Sequence, residues 1–287
     1  MSAVGLPGAP VVVVGPPRFE RLRLLLRSPS FLVGLSIILF WVCCAVFGRY
    51  FVDPLADDIL NGLLPPSADH WFGTDELGRD MFARVIAGSR DILVVAPLAT
   101  LLGIALGTAL GLVMGFFPGW IDDILSRIVE AVLALPLLIL ALLALTALGA
   151  SNATVVAAIG LSFMPIVART VRAAVMTERN LDYVAAARLR GESSLYLMGF
   201  EILPNILPPI VVELTVRLGY AIFTVATLSF LGVGLQPPSP DWGLAISENY
   251  ALIGGGYWWT VLFDALAIAS LVIAVNLVAD GLAEAAQ

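Results

Sequence analysis

The chain has 287 residues, 60% of them hydrophobic, with a mean hydropathy of +0.97 and only 13% charged, where a soluble domain carries roughly a quarter charged. That excludes an ordinary water-soluble globule and predicts an all-α membrane protein, because the apolar runs approach about 20 residues while barrel strands are nearer ten and alternate. The formal charge of −7 comes from 22 acidic residues against 15 basic ones. All the basic residues are arginines in short patches between apolar runs, which excludes a nucleic-acid footprint.

Residues 1–17 are rich in Gly, Pro and Val, carry no charge, and are expected to form a poorly ordered tail. Arg18, Arg21, Arg23 and Arg27 follow in an amphipathic segment that leads into a first span over 31–47. No small-residue cleavage site precedes that span, so it is expected to remain as an anchor. Four arginines before it place the N-terminus on the cytoplasmic side. Cys43 and Cys44 are adjacent within the span and imply no disulfide framework. Phe47, Tyr50 and Phe51 read as interfacial anchors.

Residues 49–91 are polar, punctuated by Pro54, Pro65 and Pro66, and lie outside by parity. Within them HWFGTDELGRD, residues 70–80, predicts a tight turn, followed by a short interfacial helix over 77–87. Arg79, Arg84 and Arg90 run against the orientation set by the first arginines. His70 is the only histidine and has no companion ligands, so no metal centre is predicted.

A second span covers 92–117. In it Gly103, Gly107, Gly111 and Gly115 recur every four residues and form one smooth face for close helix contact. Asp122, Asp123 and Arg127 are read as a short inside loop. The third span, 128–148, carries Glu130 near its inner end and Pro136 as a kink or local break. The fourth, 153–168, contains Pro165 and is followed by Arg169 and Arg172. Residues 176–205 then form the largest polar interruption of the second half. There Asn180 or Asp182 would cap a helix over DYVAAARLR, Gly191 would break it, and a second piece over 192–200 would close at Pro204. Spans five, 206–231, and six, 260–278, complete a six-span chain with both termini cytoplasmic. Ten of the 15 arginines fall inside, four outside, and Arg217 within span five.

Glu213 and Arg217 stand four apart with the glutamate first, the order that favours an intrahelical pair. Charges are costly in lipid, so the pair should face the bundle or a water-filled route. A polar lining for a solute and a pair that fixes helix packing both fit. Asp264 and Glu130 are read as end-of-helix charges. The chain has no GxxxxGK[ST] phosphate loop, no GxSxG and no HExxH, so neither Walker-type ATP binding nor hydrolysis is expected of it. A pathway without its own energy source is either a secondary transporter or a subunit driven by a separate ATPase. The paired broken helices of inverted halves, common in the former, are not evident.

Three stretches resemble the inner-membrane permease subunits of ABC importers for dipeptides and oligopeptides, in particular the C-type of their two permeases. HWFGTDELGRDMFARVIAGSR, residues 70–90, resembles that subfamily's histidine–x–x–GTD–x–x–GRD signature through Gly73, Thr74, Asp75, Gly78, Arg79 and Asp80. Residues 176–205 resemble the EAA–x–x–x–G loop: Ala186 and Ala187 match its alanines, Gly191 its glycine, and Leu203 and Pro204 its closing pair. Ala185 replaces the usual glutamate, and Glu201 stands where an apolar residue is expected. LSFLGVGLQPPSPDWG, residues 228–243, is similar to a peptide-permease stretch through Gly232, Gly234, Pro237, Pro238, Trp242 and Gly243.

The resemblance implies a type I importer permease fold over 28–287 after a cytoplasmic tail of 1–27, in a bacterial plasma membrane. External loops 49–91 and 233–257 would meet an extracytoplasmic binding protein, and a homologous B-type permease would complete the pathway. Two ATPase subunits, or one fused chain, would bind ATP and Mg; this chain would carry no cofactor and no catalytic residue. Residues 176–205 would be the coupling segment, with Asp182, Ala185, Ala186, Ala187, Gly191, Leu203 and Pro204 against an ATPase. Glu213 and Arg217 are assigned to the peptide route from their burial, not from a family motif. Permeases for nickel or other peptide-like solutes share the signature, and from other classes an ion-coupled secondary transporter and a membrane scaffold remain as alternatives.

Overall fold

The computed structural model describes residues 27–54 and 58–286; the uncharged tail and Arg18, Arg21 and Arg23 lie outside the described residues. The described chain is all-α, with a single isolated bridge between Thr74 and Asp80. Among the described residues five helices are long and apolar enough to cross a membrane, or six when one bent pair counts as a span, so this is a multi-pass membrane protein.

Helix α1, Pro29–Phe47, starts on a proline whose missing N–H costs nothing at that position, with Ser28 accepting from the Phe31 N–H as the cap. Helix α2, Met81–Phe116, is a single rod of 36 residues, capped where Asp80 accepts from the Ala83 N–H. It absorbs the region expected to be a separate interfacial helix over 77–87, so the polar loop ends at Asp80 and not at residue 91. Arg84 and Arg90 are consequently helical, and Pro97 is accommodated inside the rod.

After Gly119, at φ +98°, comes α3, Trp120–Leu133. Asp122, Asp123 and Arg127 lie in this amphipathic helix, not in a loop, and the two acids favour its positive N-terminal end. Helix α4, Leu137–Leu148, leaves it at 86°. Pro136 has no N–H to continue the ladder and restricts its predecessor, so the expected third span is a broken one. At about 1.5 Å per residue α4 alone is roughly 18 Å long, short of the hydrocarbon core. Helix α5, Asn152–Glu178, continues ten residues beyond the expected end of span four because Arg169 and Arg172 extend it past the apolar run. Arg172 grips Asp122 of α3 with Nε and Nη2, both at 2.6 Å. Helices α6, Asp182–Leu189, α7, Leu207–Phe230, α8, Trp242–Asn249, and α9, Trp259–Ala286, follow.

The closest helix pair is α2 against α5. Gly103, Gly107, Gly111 and Gly115 all lie on the α5 side of α2, and a Cβ at any of them would come within 2.5–2.8 Å of Phe163, Val167, Ala168 or Val175. With no side chain in the way, the two backbones approach each other directly. One apolar core joins α1, α2, α4, α5, α7, α8 and α9 around Ile92, Phe163, Leu228, Trp242 and Leu271. A second, built on Val171, Val175, Ile202 and Ile206, anchors the segment that carries α6. The bundle thus has two ends, one carrying α6 and the other carrying residues 58–80 and 231–258.

Candidate functional site

At the α6 end the chain leaves α5 at Glu178. Arg179 donates from Nη1 to the Gly115 carbonyl at 2.6 Å, which ties the exit of α5 to the end of α2. The Tyr183 hydroxyl donates to Glu178 at 2.6 Å; burial, and then this bond to a carboxylate, push the phenol up to about 12. The N-cap of α6 is Leu181, without a side-chain bond, so neither Asn180 nor Asp182 caps it as expected. Asp182 instead occupies the first turn, where the helix dipole favours it, and Arg188 the last.

Val184 and Ala187 face the second core and are fully buried. Ala187 therefore packs inward, whereas Asp182, Ala185, Ala186, Arg188 and Leu189 face outward. Gly191 ends the helix at φ +81°. The Glu192 N–H reaches the Ala187 carbonyl at 3.3 Å and the Gly191 N–H that of Arg188 at 3.0 Å, the paired bonds of a Schellman ending. A Cβ at Gly191 would meet nothing of this chain within 4 Å, so the glycine is needed here for its dihedral angle and not for space.

The second piece is longer than 192–200. Ser193 caps Ser194–Tyr196, a π-helical stretch covers Leu197–Ile202, and Leu203–Asn205 follows. Pro204 lies inside the last turn and does not close it; the wide π turn before it moves the carbonyls that its ring would strike in an α-helix. Glu201 accepts from Arg190 Nη2 at 3.0 Å, which bolts the two helical pieces together and accounts for a charge where an apolar residue was expected. Leu203 packs on the second core, while Pro204 is exposed. The outer surface carries Leu189, Leu195 and Phe200, at 90%, 78% and 72% exposure, beside Arg188 and Arg190. An apolar patch with basic neighbours, held rigidly at one end of the bundle, is suited to docking a partner.

Between the ends, Glu213 and Arg217 form the i,i+4 pair, Nε to Oε2 at 2.9 Å, each with a side chain 15% exposed. Thr170 of α5 donates to the other glutamate oxygen at 2.8 Å. The guanidinium carbon lies 5.9 Å from the Phe163 ring centre and 5.3 Å from that of Tyr220. The pair is thus turned into the bundle against α5, and both carboxylate oxygens are occupied.

At the opposite end the GTDELGRD turn is knitted to three helices. Asp75 accepts the backbone N–H groups of Leu77 and Arg79 and the Arg79 Nε at 2.7 Å. Thr74 donates to the Asn61 carbonyl and receives the Leu64 N–H, while the Trp259 indole donates to the Thr74 carbonyl. Gly78, at φ +75°, would drive a Cβ into the Asp58 carbonyl; Gly73 lies against Leu64 and Trp259. Asp80 caps α2 with one oxygen and meets His70 Nδ1 at 2.9 Å with the other.

In residues 228–243, Asp241 caps α8 through the Leu244 N–H, and burial pushes its carboxyl up to about 6. Trp242 is fully buried, donates to the Val85 carbonyl at 2.8 Å and meets Trp41 edge-on at 4.8 Å. Gly234 lies against Ser229 and Gly243 against Ala226. Gly232 stands at φ +77°, and the exposed Pro237 and Pro238 are joined by a cis bond.

Sequence reasoning missed the buried charges at this end. Arg84 is wholly buried and bonds Glu248 of α8 at 3.0 Å, beside Arg79, which reaches the same oxygen at 3.2 Å. Asp264 is not an end-of-helix charge: it is wholly buried in α9, with neither oxygen hydrogen-bonded. Glu130, by contrast, is exposed on α3. An acid within the apolar run of α9 was the available signal for Asp264; nothing local links Arg84 to Glu248, 164 residues away.

The family model described as "Binding-protein-dependent transport system inner membrane component" matches residues 107–287. The chain is 38% identical over 285 residues to the di/tripeptide transport system permease protein of Pseudomonas aeruginosa, covering 96% of this chain and 93% of the relative. It is 36% identical over 266 residues to the dipeptide transport system permease protein of Bacillus subtilis, covering 92% and 83%. It is also 38% identical over 275 residues to the glutathione transport system permease protein of Shigella flexneri, covering 93% and 87%. Among the described residues no cluster of three or more His, Cys, Asp or Glu is placed to hold a metal ion.

Proposed function

This chain belongs to the family of binding-protein-dependent transport system inner membrane components, and we propose that it is one of two permease subunits of an ATP-driven importer. It forms half of a translocation pathway for di- or oligopeptides across the bacterial plasma membrane. The supporting observation is the outer face of residues 182–200, where an apolar patch flanked by Arg188 and Arg190 stands out from the bundle. That face seats in a groove of an ATPase subunit, which makes the α6 end and both termini cytoplasmic. ATP and Mg are held by the ATPases, as two chains or one fused chain. The opposite end, residues 58–80 and 231–258, receives an extracytoplasmic binding protein, and a homologous permease supplies the other half of the route.

Each contact has a physical part in coupling. The Schellman turn at Gly191 and the Arg190–Glu201 pair fix the angle between the two helical pieces, so force on α6 moves both. Arg179 carries that movement into the end of α2 through the Gly115 carbonyl. Glu213 is held by Thr170 and Arg217, which leaves the Arg217 Nη groups as the donors of this pair for a peptide carbonyl or carboxylate. The permease relatives named for dipeptides, di- and tripeptides and glutathione have peptide-bond cargo in common.

The test is reconstitution in proteoliposomes with the partner permease, the ATPases and the binding protein. ATPase stimulation is measured for dipeptides, longer peptides, glutathione and chelated nickel. Stimulation by one or more peptides with matching uptake is the expected result. Solute accumulation by this chain alone on an ion gradient would overturn the reading, and stimulation by nickel alone would move the cargo out of the peptide class.

A further inference from the structure

The end opposite α6 carries a tip that the bundle leaves uncovered. A single 3-10 turn, Ile59–Asn61, follows Asp58, and its apolar side chains Ile59 and Leu60 are 74% and 97% exposed. Leu77 joins them: its carbonyl accepts from the Asp58 N–H at 3.2 Å, and its own side chain is exposed. This tip is not a slack loop. The Leu63 N–H bonds the Asp75 carbonyl at 2.9 Å, the Leu64 N–H bonds Thr74 Oγ1 at 2.8 Å, and the Thr74 N–H bonds the Leu64 carbonyl at 3.0 Å. These bonds hold Leu63 at φ +59°, a left-handed conformation that leucine rarely adopts. Beneath them Asp75 is wholly buried and bound to Arg79. A surface fixed in this way loses little entropy on docking.

The tip stands in water. It packs on residues 74–78, ahead of the start of α2 at Met81, whereas the apolar run of that rod begins at Ile92. About 16 Å of helix therefore separates it from the hydrocarbon, more than the roughly 5–8 Å of one headgroup layer. An apolar knob held that far from lipid marks contact with a protein. Its charges have one sign. The exposed charged side chains of residues 58–80 are Asp58, Asp69 and Glu76, and no basic side chain is exposed in residues 58–80 or 231–258. Arg79 is committed to Asp75 and Glu248, and His70 to Asp80. Asp58 accepts from the Asn61 amide at 2.8 Å, and none of the three exposed acids has an ion-pair partner among the described residues. The field around the knob is negative.

We propose that this tip is a contact through which the chain engages the extracytoplasmic binding protein, and that the face it meets is an apolar depression rimmed by Lys or Arg. Leu60 and Ile59 enter the depression, and Asp58 and Glu76 meet the basic rim. The proposal rests on the importer reading and adds to it the residues and the chemistry of the contact. The two parts act at different stages: the acids guide the approach and reject acidic surfaces, including a second copy of this tip, while the leucine holds the docked state.

The complex with its partner permease and ATPases is immobilised in nanodiscs, and the peptide-loaded binding protein is passed over it. Association should be about tenfold slower at about 300 mM NaCl than at about 50 mM. Asp58→Asn combined with Glu76→Gln should slow association about fivefold at low salt and flatten that salt dependence. Leu60→Ala, at a side chain that supports nothing else in the fold, should speed dissociation about tenfold and leave the salt dependence intact. A photo-crosslinker at position 60 should capture the binding protein. Salt-independent association of the parent, parental kinetics in either variant, or capture of the partner permease or of lipid at position 60 overturns the proposal. The importer reading survives those outcomes as long as the binding protein stimulates ATP hydrolysis. A parent complex that the binding protein neither binds nor stimulates overturns both.

Discussion

Gly191→Val is expected to uncouple ATP hydrolysis from transport while the chain still inserts and assembles. A Cβ at position 191 meets no atom of this chain within 4 Å, so the only cost within the chain is conformational. At φ +81° an L-residue is destabilised by roughly 1–2 kcal/mol, more when β-branched and less for Asn. The two Schellman bonds hold the turn against relaxation, so valine either bears that cost or unwinds the last turn of α6 and misplaces Leu189. Since 1.4 kcal/mol is about a factor of ten, the properly docked population should fall about tenfold. Peptide uptake per ATP in proteoliposomes should fall with it. Gly191→Asn, which tolerates the left-handed region, should stay within about threefold of the parent by the same reasoning. Parental transport by Gly191→Val would refute the conformational account. Equal loss in both variants would refute it too, because it would assign the position to clearance against the ATPase.

Three other outcomes follow from single contacts. Asp241 is protonated more readily in the folded protein than in the unfolded chain, so its contribution is fully present below pH 3.8 and is lost as pH rises through about 6. That loss is about 3 kcal/mol; Asp241→Asn, which keeps the cap acceptor, should abolish this part of the pH dependence of thermal unfolding between pH 4 and 7, and an unchanged profile would contradict it. Gly111→Ala puts a Cβ 2.6 Å from the Ala168 carbonyl oxygen, and prising α2 from α5 should cost about 1–3 kcal/mol, read as a lower unfolding temperature in detergent. Arg217→Leu leaves Glu213 with Thr170 alone and should cost about 2 kcal/mol, below the range for fully buried pairs because of the residual exposure. Altered peptide preference at normal assembly would place Arg217 on the route, whereas lost assembly with unchanged preference would make it a packing residue.

What could be read from the sequence was local in origin. The apolar runs announced most of the crossings, and a four-residue glycine period announced one smooth side of α2, because hydropathy and helical spacing are carried by neighbours in the chain. Gly191 was legible as a break for the same reason, and it stands at a positive φ. Pro136 signalled a disruption but not its 86° angle, which also depends on how α3 is held to α5 by Asp122 and Arg172. Arg79, Arg84 and Arg90 ran against the charge bias because local counting cannot see distant acids. Two of them are bound by Glu248, while Arg90 faces outward. Asp264 was misplaced in the same way, since its burial is created by helices far from it in the chain.

The uninterrupted run of α2 has a mechanical consequence. Its 36 residues make a rod of about 54 Å, clamped near one tip by Trp242 on Val85 and Arg84 on Glu248, and near the other by Arg179 on Gly115. Such a beam has little slack: a nudge at one tip is delivered to the other by tilting, with the glycine face as the bearing on which it pivots against α5. Any bending along the way concentrates at Pro97, where the backbone ladder is missing a rung.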